Sequence, residues 1–307
     1  MKIIEEKNRA IVEGVKDFRP DHTFDNGQCF RWNSEADGSY TGVAFGRIAN
    51  IKHEGETLIL NNVPPGDFEA VWKDYLDLDR DYGAIKRMLS EKDPAMRDAV
   101  AYGGGMRILR QDKWETLVSF ILSQNNNIAR IKKCVEGLCA AHGRPAGTYK
   151  GRMYYAFPSP EELAKLRPGE LDVCRLGYRA RYIAETAGQI AADGGKTLYG
   201  LDRAPAKEAY EYLLSLSGVG PKVANCIMLF AMGHFESFPL DVWIKRVMHR
   251  VYHIGEGDAK KMQEYAAAHF GVYAGIAQQY LFYYARNKIR ENSQNMEQQS
   301  QEGQKKC

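Results

Sequence analysis

The chain has 307 residues, 44% of them hydrophobic and 26% charged, with a formal net charge of +3. At roughly 150 residues per domain this is about two domains' worth of chain, long enough to bury a core without a metal or a disulfide. No stretch of roughly 18 apolar residues occurs, which excludes a membrane-spanning helix, and the slight basicity permits an anionic partner without requiring one.

Met1 to Gly14 mixes acids and bases with no long apolar run, so no secretory leader is expected there. The cysteines at 29, 134, 139, 174, 226 and 307 should then be reduced, in the cytoplasm and, for a prokaryote, with the nucleoid. They form neither a C-x-x-C pair nor a close group of four, which argues against a zinc ribbon, a thioredoxin-type site or an iron–sulfur cluster. His249 and His253 stand four apart without companion ligands and read as surface residues; no metal site is expected.

Along the chain, the first third reads as β-rich. Gly27–Trp32, Tyr40–Phe45, Ile48–His53 and Thr57–Asn61 are short β-branched and aromatic runs separated by turn residues. After Pro64-Pro65-Gly66 the period changes, with Phe68, Val71, Trp72 and Tyr75 forming a helical stripe. Asp77-Leu78-Asp79-Arg80-Asp81 imitates the start of a calcium loop but lacks the glycine and the final carboxylate, so its acids are expected to cap a helix. Helical patterns then dominate to about residue 290. Breaks fall at residues 103–105, 143–151, 158–160 and 194–195. The fold class expected is α+β: a small twisted antiparallel sheet domain over residues 1–100, then a mainly helical domain over 101–290. Residues 291–307 contain almost nothing to bury and read as a disordered tail with an exposed Cys307.

The segment richest in chemistry runs from Leu213 to Tyr252. A helix ends near Leu216, Gly218-Val219-Gly220 makes a tight hairpin, and Pro221 starts a second helix where its missing N–H is harmless. Backbone N–H groups at such a helix start suit a phosphate. Lys222 lies in that first turn, where the positive end of the helix and partial burial both penalise the ammonium form and favour the nucleophilic amine. Asp241, after Phe238-Pro239-Leu240, is placed to cap the next helix, and a carboxylate near an activated amine also stabilises developing positive charge. Such a pair suits attack at the anomeric carbon of a sugar followed by a Schiff base.

Gly218-Val219-Gly220-Pro221-Lys222 with Pro239-Leu240-Asp241-Val242 resembles the helix-hairpin-helix, Gly/Pro…Asp superfamily of DNA glycosylases. Three further segments are similar to its 8-oxoguanine DNA glycosylase/AP lyase members: Gly27-Gln28-Cys29-Phe30-Arg31-Trp32, Ser123 to Arg130, and Leu176 to Tyr182. The matches run in family order over roughly residues 20 to 288. The resemblance implies an enzyme that acts as a monomer on double-stranded DNA. It flips 8-oxoguanine from opposite cytosine into a pocket, because the reacting sugar carbon is unreachable inside the stack. Lys222 then attacks that carbon and cleaves the strand by β-elimination, with Asp241 stabilising the oxocarbenium-like charge. The hairpin of Gly218, Val219 and Gly220 would grip the backbone; no cofactor is required, though a structural alkali ion on the hairpin carbonyls is implied.

By the same resemblance Asn125 and Arg130 fill the emptied stack and contact the widowed cytosine, Arg179 adds a second cytosine contact, and Tyr178 is the wedge. Gly27, Cys226, Gln278 and Phe282 form the base pocket, Cys226 and Phe282 each one helical turn after Lys222 and Gln278. The Gly27 carbonyl is the candidate reader of the N7 hydrogen that distinguishes 8-oxoguanine from guanine, since glycine lets a backbone approach a ligand closely. One departure stands out. Trp243 occupies the place where eukaryotic members carry a histidine against the 5′ phosphate, and tryptophan brings a single N–H donor and no charge. Two alternatives remain at this level: another glycosylase specificity in the same superfamily, and a non-catalytic helix-hairpin-helix DNA-binding protein. Adenine-excising members carry a C-terminal cysteine cluster that is absent here, and a binding module gives no reason for Lys222, Asp241 and Cys226 together.

Removing residues 291–307 is expected to leave melting temperature and base excision unchanged, because the segment has little apolar surface to bury. A fall of many degrees on truncation would show that it docks.

Overall fold

A computed structural model describes residues 1–91 and 93–288. Its N-terminal part is a six-stranded, wholly antiparallel sheet built from β1 (Lys2–Glu6), β2 (Arg9–Glu13), β3 (Asn33–Ser34), β4 (Tyr40–Ala44), β5 (Arg47–Glu54) and β6 (Thr57–Asn61). The order across the sheet is β1-β2-β6-β5-β4-β3. One face buries Ala10, Val12, Ile51, Leu58 and Leu60 against Phe24, Trp32, Phe68 and Trp72. The strands expected from residues 40–61 are present. β1 and β2 were not anticipated, although Ala10 and Val12 alternate with Arg9, Ile11 and Glu13 across the pleat. β1 forms an edge whose lysine and glutamates face solvent, and Lys2 pairs with Glu13 across the ladder at 3.4 Å.

The strand expected at Gly27–Trp32 is corrected: this segment is irregular and pairs with no strand. Its side chains alternate because it runs between two cores. Cys29 and Trp32 belong to the sheet's core, whereas Phe30 packs edge-on to Phe120 in the helical core at 5.7 Å. Gln28 and Arg31 join the two. The Gln28 amide donates to the carbonyls of Thr23 and Arg107 at 2.8 Å and accepts from Leu109 N–H at 2.9 Å. Arg31 is held by Glu115, Glu136 and the Tyr155 carbonyl.

The helices are α1 (Pro20–Phe24), α2 (Lys73–Tyr75), α3 (Tyr82–Glu91), α4 (Pro94–Gly103), α5 (Lys113–Leu122), α6 (Ile128–His142), α7 (Pro160–Ala164), α8 (Arg179–Ala191), α9 (Lys196–Gly200), α10 (Ala206–Ser215), α11 (Pro221–Ala231), α12 (Val242–Arg250) and α13 (Ala259–Phe270), followed by α14 over 274–288. A wider π turn at Phe68–Trp72 leads into α2. Residues 143–151, read above as a break, belong to a two-stranded hairpin, β7 (Pro145–Tyr149) with β8 (Arg152–Tyr155). Asp77 is also a correction: it caps no helix but gathers Arg80 at 2.6 Å, Tyr82 at 3.0 Å and Arg110 at 3.3 Å, while Asp81 does cap, accepting from Ala84 N–H. The expected tail at 291–307, with Cys307, lies outside the described residues.

α5 and α11 form the centre of the helical core. Both are buried along most of their length, and Phe120 stacks on Phe230 with centroids 5.4 Å apart. That contact packs the end of α5 against the end of α11, and the Lys222 side chain, from the start of α11, lies over the same Phe120 ring. Gln28→Ala should lower the unfolding free energy by about 3 kcal/mol, since it strands three buried backbone groups and leaves a void. Urea denaturation measures this; a loss below about 1 kcal/mol would mean that other groups replace the amide.

Candidate active site

α10 stops at Ser215, Gly218 turns the chain at φ +74°, and Pro221 opens α11 as its first residue. A Cβ on Gly218 would sit 2.7 Å from the Tyr182 side chain, so both the left-handed backbone and the packing require glycine. Lys222 follows in the first turn and is half-buried. Its Nζ donates to Ser123 Oγ at 3.0 Å and lies 4.9 Å from the centre of the Phe120 ring. Ser123 begins the turn after α5, and the same turn makes two further long-range ties. Gln124 Nε2 donates to the Gly218 carbonyl at 2.9 Å, and the Gln124 and Asn125 carbonyls accept from the buried Arg179 guanidinium.

One turn along α11, Cys226 faces the same way as Lys222. Burial pushes its thiol up to about 11, against the opposing influence of the Lys222 ammonium, so it is neutral at physiological pH. Asp241 caps α12 as its position in the sequence led us to expect, accepting from Ile244 N–H at 2.8 Å. Burial raises its carboxyl above the ordinary aspartate range, while the Ile244 and Trp243 N–H groups and the Lys222 ammonium favour the charged form.

Gly27, Lys222, Cys226, Asp241, Gln278 and Phe282 line one cleft. The sequence-derived pocket and nucleophile are therefore brought together from four parts of the chain. Phe120, Phe230, Pro239 and Gln279 complete the lining and were missed, since core aromatics and a glutamine carry no sequence mark of a pocket. Gln278 is 3% exposed, and among the described residues its Oε1 has no hydrogen-bond partner. A buried amide oxygen without a partner is costly unless a ligand supplies a donor. Gly27 has φ +88°, and a Cβ there would meet Ile128 at 3.1 Å and Phe282 at 3.5 Å. Asn26 and Gln28 hold it on either side: Gln279 Nε2 donates to the Asn26 carbonyl at 3.0 Å.

Asn125, Tyr178 and Arg179 form a second group beside the cleft. Tyr178 is 52% exposed, its hydroxyl lies 3.5 Å from Asn125 Nδ2, and Asn125 itself is exposed at φ +46°. Arg179 differs from a free contact residue: it is 4% exposed, and its guanidinium spends four donor contacts on the carbonyls of Gln124, Asn125 and Leu176. It positions the Asn125 turn and keeps one of its five N–H groups. Arg130 is exposed in the first turn of α6, where its backbone N–H donates to the Asn127 cap at 3.0 Å. Trp243 is half-buried beside Asp241. For an alkali ion, the hairpin carbonyls of Leu216, Ser217 and Gly218 each already accept one hydrogen bond and keep a second lone pair, so the donor set fits. Among the described residues no cluster of His, Cys, Asp and Glu suits a metal, and no helix is long and apolar enough to cross a membrane.

Asp241→Asn should stabilise the protein at pH 7. The native carboxyl is raised, so its ionised form costs folding free energy at every pH above that raised value. The cost disappears as pH falls below the ordinary aspartate value, where both states are protonated. Asparagine keeps the cap without the charge. Thermal melts at neutral and acidic pH test this: the variant's advantage should shrink on acidification, and no advantage at pH 7 would contradict it.

A family model described as the 8-oxoguanine DNA glycosylase N-terminal domain matches residues 10–117, and one described as the HhH-GPD superfamily base excision DNA repair protein matches residues 118–270. The chain is 31% identical over 275 residues to the N-glycosylase/DNA lyase OGG1 of Arabidopsis thaliana, covering 85% of this chain and 75% of the relative. Two solved structures superpose at a TM-score of 0.90: MBOgg1 in complex with a low-affinity DNA ligand, at 48% identity over 94% of this chain and 98% of that one. The other is the Clostridium acetobutylicum 8-oxoguanine glycosylase/lyase bound to double-stranded DNA with cytosine opposite 8-oxoguanine, at 40% identity over 94% and 99%. The antiparallel sheet followed by a mostly helical domain agrees with these comparisons, and the chain belongs to the 8-oxoguanine DNA glycosylases of the helix-hairpin-helix superfamily, enzymes with DNA glycosylase and lyase activity.

Proposed function

We propose that this glycosylase/lyase excises 8-oxoguanine from opposite cytosine with Lys222 as nucleophile and then cuts the strand by β-elimination. The observation that carries the reading is convergence on one cleft: the Lys222 side chain, the Asp241 carboxylate, the neutral Cys226 thiol and the partnerless Gln278 oxygen all line it. The flipped base would lie between Cys226 and Phe282, with Gln278 on its Watson–Crick edge and the Gly27 carbonyl accepting the N7 hydrogen that normal guanine lacks. The Clostridium relative's complex with double-stranded DNA containing cytosine opposite 8-oxoguanine supports the choice of opposite base. Arg130 and the remaining Arg179 N–H are the proposed donors to the widowed cytosine, with Asn125 and Tyr178 in the emptied stack. The hairpin of Gly218, Val219 and Gly220 takes a backbone phosphate on its N–H groups.

In the reaction, Lys222 Nζ gives up a proton and attacks C1′ as the C1′–N9 bond breaks; the base leaves with that electron pair and takes up a proton. Positive charge developing on the sugar faces Asp241. The lysine then loses its N–H protons as the ring opens, O4′ gaining one, and a C1′=N Schiff base results. Removal of a C2′ proton expels the 3′ phosphate, and water frees the lysine. No cofactor takes part in these steps. The protein would act as a monomer in the compartment that holds the genome.

Lys222→Gln should bind lesion duplex, yet neither excise the base nor form a covalent adduct trapped by borohydride. A trapped adduct with that variant would place the nucleophile elsewhere. Asp241→Asn should lower single-turnover excision by about two to three decades, the size expected for a lost electrostatic stabiliser.

A further inference from the structure

Asp241 serves the chemistry but creates an electrostatic problem on the DNA side of α12. Its carboxylate accepts from the Ile244 N–H, so part of the positive end of the helix is used internally. A flipped nucleotide carries a phosphate on each side of the sugar that Lys222 and Asp241 must reach. On that reading the hairpin at the start of α11 takes one, and the other would lie on the α12 side, where it would meet the charge of Asp241 and find in Trp243 no positive group.

Arg246 lies one turn further along α12, and helical side chains lean toward the N-terminus. Its guanidinium carbon is 5.3 Å from the centre of the Trp243 ring, stacked back over the first turn. Arg246 is exposed, and among the described residues it forms no ion pair. Most exposed basic residues of neighbouring helices are spent on partners: Lys207 on Glu211, Lys260 on Glu264 and Arg181 on Glu185. An exposed arginine that avoids carboxylates and is oriented by an aromatic ring has its fork pre-organised for an anion.

Resting on the DNA-repair reading above, we propose that Arg246, held over Trp243, is the phosphate clamp on the α12 side of the flipped nucleotide. The ring fixes the guanidinium and the guanidinium supplies the charge. Both act on binding and neither takes part in bond breaking.

The experiment measures duplex affinity across a salt series, together with single-turnover excision at saturating enzyme. It uses 8-oxoguanine duplex and the full chain. Arg246→Gln should weaken binding about tenfold, as expected for a lost charge-assisted contact. It should also reduce the slope of log affinity against log salt by about one. The saturated excision rate should stay at the wild-type value. Arg246→Lys should keep the slope, Trp243→Phe should keep affinity, and Trp243→Leu should weaken it. Arg250→Gln, a charge change one turn further on the same helix, should leave the slope nearly unchanged. An unaltered affinity and slope in Arg246→Gln would overturn the proposal. So would an equal loss in Arg250→Gln, which would mean a diffuse field, or a fall in the saturated rate with affinity intact. Wild type that neither binds nor excises would instead overturn the reading of function, so the two failures are distinguishable.

Discussion

The 3.0 Å bond from Lys222 Nζ to Ser123 Oγ does more than hold one side chain. Ser123 belongs to a three-residue turn whose next member, Gln124, clasps the hairpin carbonyl of Gly218, and whose carbonyls are clasped in turn by Arg179. The proposed nucleophile, phosphate-binding hairpin and wedge residues thus share one short piece of backbone. That turn exists where it does because α5 and α11 pack through Phe120 and Phe230. A shift of that aromatic stack would move all three functional parts together, and catalytic geometry tolerates displacements of well under an ångström.

The same cleft gathers groups that a stable core would not choose. A raised carboxyl at Asp241, a buried thiol at Cys226 and a Gln278 oxygen without a partner each oppose folding or gain nothing from it. Proteins break local rules of this kind where function needs it and compensate elsewhere. Here the compensation is visible in the dense helical core around α5 and α11 and in the satisfied Gln28 amide between the two cores.

Legibility in the sequence followed the range of the interactions. The hairpin, the proline at the start of α11 and the Asp241 cap were readable because glycine, proline and a capping carboxylate act within three or four residues of themselves. Strands from 40 to 61 announced themselves by alternation and turn residues. Gly27–Trp32 alternates just as well, yet its period reflects two facing cores and no ladder; periodicity reports which way side chains point, not what the backbone bonds to. β1 and β2 were overlooked because their charged edge hides a weak alternation. Arg179 lies beside Tyr178 as expected and is buried: a sequence shows that the two are neighbours, but not that four donor contacts of the arginine are turned inward. Ser123 and Gln124 sat inside a recognised segment without an assigned task, since their partners are about a hundred residues away.

The division of the pocket between the two cores has a consequence for how the enzyme fails. Lys222, Cys226 and Asp241 come from helices of the larger core, whereas Gly27 comes from the segment threaded between the cores. Gly27 reaches the cleft only while Asn26 accepts from Gln279 and the Asp25 carbonyl accepts from Arg286 at 2.7 Å. Those bonds, with the Gln28 amide and the Arg31 ion pairs, tie the segment to the helical core. Loosening them leaves Lys222, the proposed nucleophile, with its Ser123 partner and the hairpin, in place. Recognition of the base therefore depends on the docking of two cores, while reactivity depends on one, and mild destabilisation should erode the choice of base before it erodes the ability to cut.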